Sequence, residues 1–168
     1  MIAGRVALSG TGFSRSLFEV YFMEYLQVTV DKFVFRVANG YRYSEAEVWA
    51  RRDGNRLRIG LTDYLQQKSG DVAFANLKAT GTAFAAGDEL AAVETIKVDL
   101  VIPSPIAGTI VATNTALAEH PELINSDPYG EGWLVEVEPN DMADFDALLP
   151  AESYAPSMQA RAELERGK

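Results

Sequence analysis

Gly87-Asp88-Glu89-Leu90-Ala91-Ala92-Val93-Glu94-Thr95-Ile96-Lys97-Val98-Asp99-Leu100-Val101-Ile102-Pro103-Ser104-Pro105-Ile106-Ala107-Gly108 is the stretch on which the fold turns. It reads as two apolar strands meeting at a lysine, bracketed by Gly87 and Gly108. Leu90, Ala92, Ile96, Val98, Val101 and Ile102 supply strand-forming character and are expected to face a core. Glu94, Thr95 and Asp99 crowd the tip. A lysine at a hairpin apex is exposed and accessible to another protein, as the attachment point of a swinging covalent cofactor must be. An ordinary solvated lysine on an ordinary hairpin fits the local stretch as well.

The flanks extend the β pattern. Upstream, Val72–Leu77 is a short strand. Thr62-Asp63 caps a helix over Tyr64–Lys68, which Ser69-Gly70-Asp71 ends. Asp53-Gly54 turns between strands carrying Val48, Ala50, Leu57 and Ile59. Residues 25–38 alternate with period two, slip phase at Asp31-Lys32 and stop at the Asn39-Gly40 turn. Downstream, Thr109–Asn114 is a strand, and Thr115–His120 is at most a helical turn. Pro121–Gly132 is a compact polar loop, and Trp133–Pro139 is the last strand. Asn140–Leu149 is predicted to start a helix with an acidic first turn, broken by Pro150. Glu152–Arg166 reads as a polar, exposed helix that frays. Many short strands with Gly-based turns predict a mainly β fold, a sandwich or barrel carrying short helices and a C-terminal helix.

Three segments are expected: residues 1–22 as an N-terminal extension, 23–154 as the main domain, and 155–168 as a helical tail. Met23 precedes the regular pattern and is a candidate start. Alternatively, Phe18, Tyr21 and Phe22 make the first segment a docking element, because aromatics are costly to leave in water.

Composition removes several functions. There are no cysteines, hence no disulfides, thiolate metal sites or cysteine nucleophiles. A net charge of −9 disfavours nucleic acid and anionic membrane. No apolar run reaches a membrane span and no secretory leader is evident, so the cytoplasm is the default. The single histidine, His120, lies in a loop, and no phosphate loop, zinc spacing or Ser/His/Asp set is present. Such a chain suits a carrier, in which a cofactor supplies the chemistry.

Several segments, in order, carry a family resemblance: Tyr43–Trp49, Ile59–Asp71, Val72–Leu77, Val93-Glu94-Thr95-Ile96-Lys97, Pro105–Gly108, Asn114–Leu117 and Pro121–Leu134. Together, from about Tyr43 to about Tyr154, they resemble the H-protein of the glycine cleavage system, a lipoyl carrier. The resemblance implies the barrel-sandwich hybrid of biotinyl and lipoyl carriers. It implies lipoate in amide linkage on Lys97, with Glu94 recognised by the lipoylating enzyme. Implied partners are glycine decarboxylase, aminomethyltransferase and dihydrolipoyl dehydrogenase, served by a monomeric carrier that is not itself an enzyme. Asp71 and the Asp127–Trp133 loop match positions near the arm-bearing face, or serve only loop architecture.

Two departures sit beside the arm. Glu47-Val48 stands where the family has a His-Glu pair before its tryptophan, and Val98-Asp99-Leu100-Val101 replaces small and polar residues after the lysine. They open a second reading, a lipoyl carrier of this shape that carries sulfur in a heterodisulfide-reductase-like oxidation. A biotin carrier is disfavoured because Ile96 and Val98, not methionines, flank the lysine. An interaction module that has lost the modification is the remaining alternative.

Overall fold

The computed structural model describes residues 2–4 and 24–167. They form two compact units, Tyr41–Pro150 in one, and the residues up to Gly40 together with those from Ala151 in the other.

In the latter, β1 (Ile2–Gly4) pairs with β2 (Tyr25–Val30), and β2 with β3 (Phe33–Ala38), all antiparallel. The phase slip at Asp31-Lys32 is the β2–β3 turn, with Asp31 at φ 56°. Val28, Val30, Phe35 and Val37 are buried. Of the expected 1–22 extension only residues 2–4 are described, as this strand; the readings of the rest lie outside the described residues.

The Tyr41–Pro150 unit holds two antiparallel sheets. Its strands are β4 (Arg42–Tyr43), β5 (Val48–Asp53), β6 (Arg56–Leu61), β7 (Val72–Leu77), β8 (Ala83–Phe84), β9 (Glu89–Thr95), β10 (Asp99–Pro103), β11 (Gly108–Thr113), β12 (Val135–Pro139) and β13 (Leu149–Pro150). The larger sheet runs β13-β4-β5-β6-β12-β11-β8 and the smaller runs β10-β9-β7. Alternating residues of both sheets meet in one core: Ala50, Leu57 and Ile59 from the larger sheet cluster with Leu90, Val93 and Ile102 from the smaller. Between β6 and β7 lies α1 (Asp63–Ser69). Thr62 caps it as expected, its hydroxyl accepting from the Leu65 amide at 3.2 Å. Helix α2 (Leu123–Ser126) is a single turn inside the loop before β12.

The helix predicted over Asn140–Leu149 shrinks to one turn, α3 (Ala143–Asp146). Leu149 and Pro150 are instead drawn out as β13, paired with Tyr43 and Arg42. Arg42 Nη1 donates to the carbonyls of Asp146 and Leu148 at 3.1 and 3.0 Å, satisfying the helix end so that the chain can leave it early.

The C-terminal helix α4 (Ala151–Arg166) is not exposed all round. Tyr154, Ala155, Met158 and Ala162 are buried at helical spacing, and α4 lies against β2 and β3. Alanine contributes little hydropathy, so this stripe reads as polar in the sequence. A second correction concerns the central hairpin. Leu90 and Ile102 face the core as expected, but Ile96, Val98 and Val101 are exposed, Ile96 at 71%. Val93 and Ala91 hold the core side of β9.

Candidate functional site: the lysine hairpin

Strands β9 and β10 meet at Ile96-Lys97-Val98, with Lys97 exposed and without an ion pair among the described residues. Thr95 organises the tip. Its amide donates to Val98 O at 2.9 Å, the backbone closure of the hairpin. Its hydroxyl accepts from the Val98 amide at 3.0 Å and from the Lys97 amide at 3.3 Å. The same hydroxyl sits 2.8 Å from both Ser69 O and Val98 O, so its proton has an acceptor on either side. A side chain thus takes the amides that a tight turn leaves open.

The tip is anchored from below. Ile96 N donates to Asp71 O at 3.0 Å. Gly70, at φ 87° and ψ −171°, ends α1 in a conformation that L side chains avoid. A Cβ there would lie 3.1 Å from Ile96 Cγ1 and 3.6 Å from Lys97 Cγ. Asn125, from α2, pins this turn: its Oδ1 accepts from the Val72 amide at 2.8 Å, while its Nδ2 donates to Gly70 O at 3.1 Å and to Gln66 Oε1 at 3.0 Å. The loop before β12 therefore holds the turn that holds the lysine.

Glu94, the predicted recognition residue, is exposed one strand position from the tip and stands directly opposite Asp99 in the β9–β10 register. On β7 its neighbour is Phe74, half exposed. These residues, with Asn76, Ala92 and Val101, line a shallow groove of about 230 Å³ on the outer face of the small sheet. Asp71 contributes its carbonyl to the tip, and its side chain is exposed.

The Asp127–Trp133 loop is closed by its own hydrogen bonds. Asp127 O accepts from the Gly130 and Gly132 amides, and Asp127 Oδ2 from the Glu131 amide at 2.9 Å. A Cβ on Gly132 would run into Leu123 O. Tyr129 is driven inward against Tyr41, Tyr43 and Trp49. Its backbone O accepts from Tyr41 OH at 2.6 Å, its hydroxyl accepts from Asp63 N at 3.3 Å, and Trp49 Nε1 donates to Pro128 O at 3.0 Å. Burial pushes the Tyr129 phenol well above its ordinary value, and that of Tyr41 upward as well. Glu47 is also buried, at φ 67°, and accepts from Thr62 Oγ1 at 2.8 Å. The departure before Trp49 thus sits in the β4–β5 turn, tied to the N-cap of α1.

Thr95, Gly70 and Asn125 escaped the sequence reading as site residues. Thr95 carried a local signal, a hydroxyl residue two positions before a hairpin apex. Asn125 carried none, since its partners are more than fifty positions away. The arrangement presents one primary amine on an ordered tip, fit to accept an acyl group. Among the described residues no helix is long and apolar enough to cross a membrane.

The family model for the glycine cleavage H-protein matches residues 41–161. A glycine cleavage system H protein of Thermus thermophilus is 42% identical over 120 residues, covering 71% of this chain and 94% of that protein. Its counterpart in Geobacillus kaustophilus is 41% identical over 113 residues, covering 67% and 89%. The crystal structure of a glycine cleavage system H protein from Mycobacterium marinum superposes with a TM-score of 0.65 at 31% identity, covering 71% of this chain and 97% of that one. The mainly β, barrel-sandwich fold is the one expected. With its fold and more than two thirds of its length in common with these proteins, the chain belongs to the glycine cleavage H-protein family, carriers rather than enzymes.

Proposed function

We propose that Lys97 bears lipoate in amide linkage and that the protein, a cytoplasmic monomer, shuttles an aminomethyl group from glycine decarboxylase to aminomethyltransferase, with dihydrolipoyl dehydrogenase restoring the disulfide. The observation that carries this reading is the tip itself: an exposed amine without an ion pair among the described residues, on a turn fixed by Thr95, Asp71 and Gly70. Lipoate, when bound, supplies a disulfide able to take up and release the carried group. The chain supplies position. Thr95 and the Ile96–Asp71 hydrogen bond hold the backbone of Lys97. Glu94 stands exposed beside it, where the lipoylating enzyme reads it.

Intact mass after incubation with a lipoate ligase and lipoate tests the attachment. One lipoyl increment is expected, absent from Lys97→Ala and slower to appear in Glu94→Gln. An increment that survives Lys97→Ala refutes the assignment. Glycine-dependent carbon dioxide exchange with a glycine decarboxylase then tests the cargo. A fully lipoylated sample that supports none, across several decarboxylases, replaces the aminomethyl reading with the sulfur one.

A further inference from the structure

The small sheet ends in two edge strands, β7 and β10, and the chain treats them differently. On β7 the Asn125 side chain takes the Val72 amide at 2.8 Å, and the turn Thr115–Ala118 lies against the strand. On β10 the edge is open. The Thr95 amide donates to Val98 O, which makes Thr95 and Val98 a hydrogen-bonded pair, and antiparallel alternation fixes the rest. Leu100 and Ile102 turn their amides and carbonyls towards β9, opposite Val93 and Ala91, while Asp99 and Val101 turn theirs away from it. Those two amides and two carbonyls have no partner among the described residues. Pro103, which has no amide, closes the open run. The side chains are as open as the backbone: Val101 is 63% exposed, and Phe74, on the same outer face, is half exposed. The three strands carry Glu89, Glu94 and Asp99 and no basic residue. Lys78, directly after β7, meets Glu89 at 3.5 Å. Glu94 and Asp99 face each other with no ion pair among the described residues.

We infer that β10 is a docking edge, to which an extended segment of the lipoylating enzyme adds as a further strand through the backbone of Asp99 and Val101. That segment sets a basic side chain beside Asp99 and Glu94 and an apolar one beside Val101 and Phe74. The inference rests on the reading of Lys97 as the lipoylated residue and adds the surface by which the enzyme holds it. The open amides and carbonyls supply affinity, and two side chains two positions apart on one face of the added strand supply specificity. The occupant is the lipoylating enzyme because that partner must bring the amine of Lys97 itself into its active site. It therefore has to contact the strand that leaves the tip, and Asp99 is only two positions from Lys97. Later partners act at the far end of a longer arm. A second copy of this chain is a poor occupant, because it brings a second Glu94–Asp99 pair to the edge and no base in the sheet to meet it.

Backbone pairing is read by hydrogen exchange on the Lys97→Ala protein, which cannot be acylated there, alone and with a lipoate ligase that modifies the wild type. In the free protein the Leu100 and Ile102 amides are expected to be protected and those of Asp99 and Val101 to exchange fast. With the ligase bound, the Asp99 and Val101 amides are expected to slow about tenfold or more. Kinetics then separate the edge from its side chains. Val101→Pro deletes one outward amide and leaves the bonds to β9 in place, so it is expected to raise KM for the unlipoylated protein about tenfold at unchanged kcat. Val101→Thr keeps that amide and is expected to stay within about threefold of wild type. Asp99→Asn is expected to raise KM about threefold at low salt, a difference that closes as salt rises. Thermal melts and the exchange of Leu100 and Ile102 establish that the proline variant is folded, and the exchange result on the ligase complex stands without it. Asp99 and Val101 amides that are already protected in the free protein, or that stay fast with the ligase, overturn the inference, as does an equal KM for Val101→Pro and Val101→Thr. Absence of a lipoyl increment on the wild type refutes the carrier reading and the inference with it, whereas an increment formed without protection of those amides refutes the docking edge alone.

Discussion

Replacing Asn125 by alanine removes three hydrogen bonds at once, to the Val72 amide, Gly70 O and Gln66 Oε1. The site is part-buried, so water compensates incompletely. At about 1 kcal/mol net for each bond, less what water recovers, the loss is roughly 2–3 kcal/mol. For a chain of this size that lowers Tm by about 4–12 °C. The effect is expected to travel. Gly70 and Asp71 lie under the tip, and the Ile96 amide donates to Asp71 O, so hydrogen exchange at Ile96 is expected to accelerate with that at Val72. Amides of the Arg51–Arg58 hairpin are expected to keep their protection beyond the general loss of stability. Asn125→Asp sharpens the test. Its carboxylate still accepts from Val72 N but faces Gly70 O with no donor. The folded state therefore favours the protonated acid and raises that pKa above its unfolded value. The stability deficit is then largest at neutral pH and shrinks as pH falls through the folded value. A Tm within a degree of wild type for Asn125→Ala, or unchanged exchange at Ile96, refutes the coupling of loop to lysine.

Gly70→Ala is expected to cost about 1–3 kcal/mol from backbone strain alone, with Ile96 turning aside cheaply because it is exposed; thermal melts check the loss, and a ligase time course is expected to show slower lipoylation. Thr95→Val keeps the shape and removes the hydroxyl that takes the Lys97 and Val98 amides, so lipoylation is expected to slow severalfold for a stability loss of about 1–2 kcal/mol. Burial raises the phenol pKa of Tyr129 in the folded state, so its contribution is complete below about pH 10 and is lost as pH rises from there through the folded value. Melts across alkaline pH are expected to fall steeply for the wild type and less steeply for Tyr129→Phe.

The turns were the most legible part of the chain. Asn39-Gly40 and Asp53-Gly54 place glycines at φ 84° and 63°, where the backbone demands them, and Thr62 caps α1 through a bond three residues long. These are local decisions, and local sequence records them. The hairpin was legible for the same reason, since an apex flanked by two strands is a pattern within one stretch, whereas the role expected of Lys97 came from the family resemblance. Burial at the hairpin was not, because it depends on which face of β9–β10 meets the larger sheet. Ile96, Val98 and Val101 are strand formers by type and solvent-facing by position. The C-terminal helix hid its inward stripe in alanines. Asn125 and Arg42 act on carbonyls and amides far along the chain, and nothing beside them in the sequence marks those partners.

The charges of the hairpin have a consequence for how its states are told apart. Between Gly87 and Gly108 the acids are Asp88, Glu89, Glu94 and Asp99, and the only base is Lys97. Acylation of Lys97, as proposed above, would remove that base. The enzyme performing it would approach a zwitterionic tip, and any later partner would meet one that is wholly anionic. The facing pair Glu94 and Asp99 would then have no positive side chain left in the hairpin. Such a modification would write its own label in the local field. Partners with a basic rim would select the finished carrier over the unfinished one at low salt and lose that discrimination as salt rises.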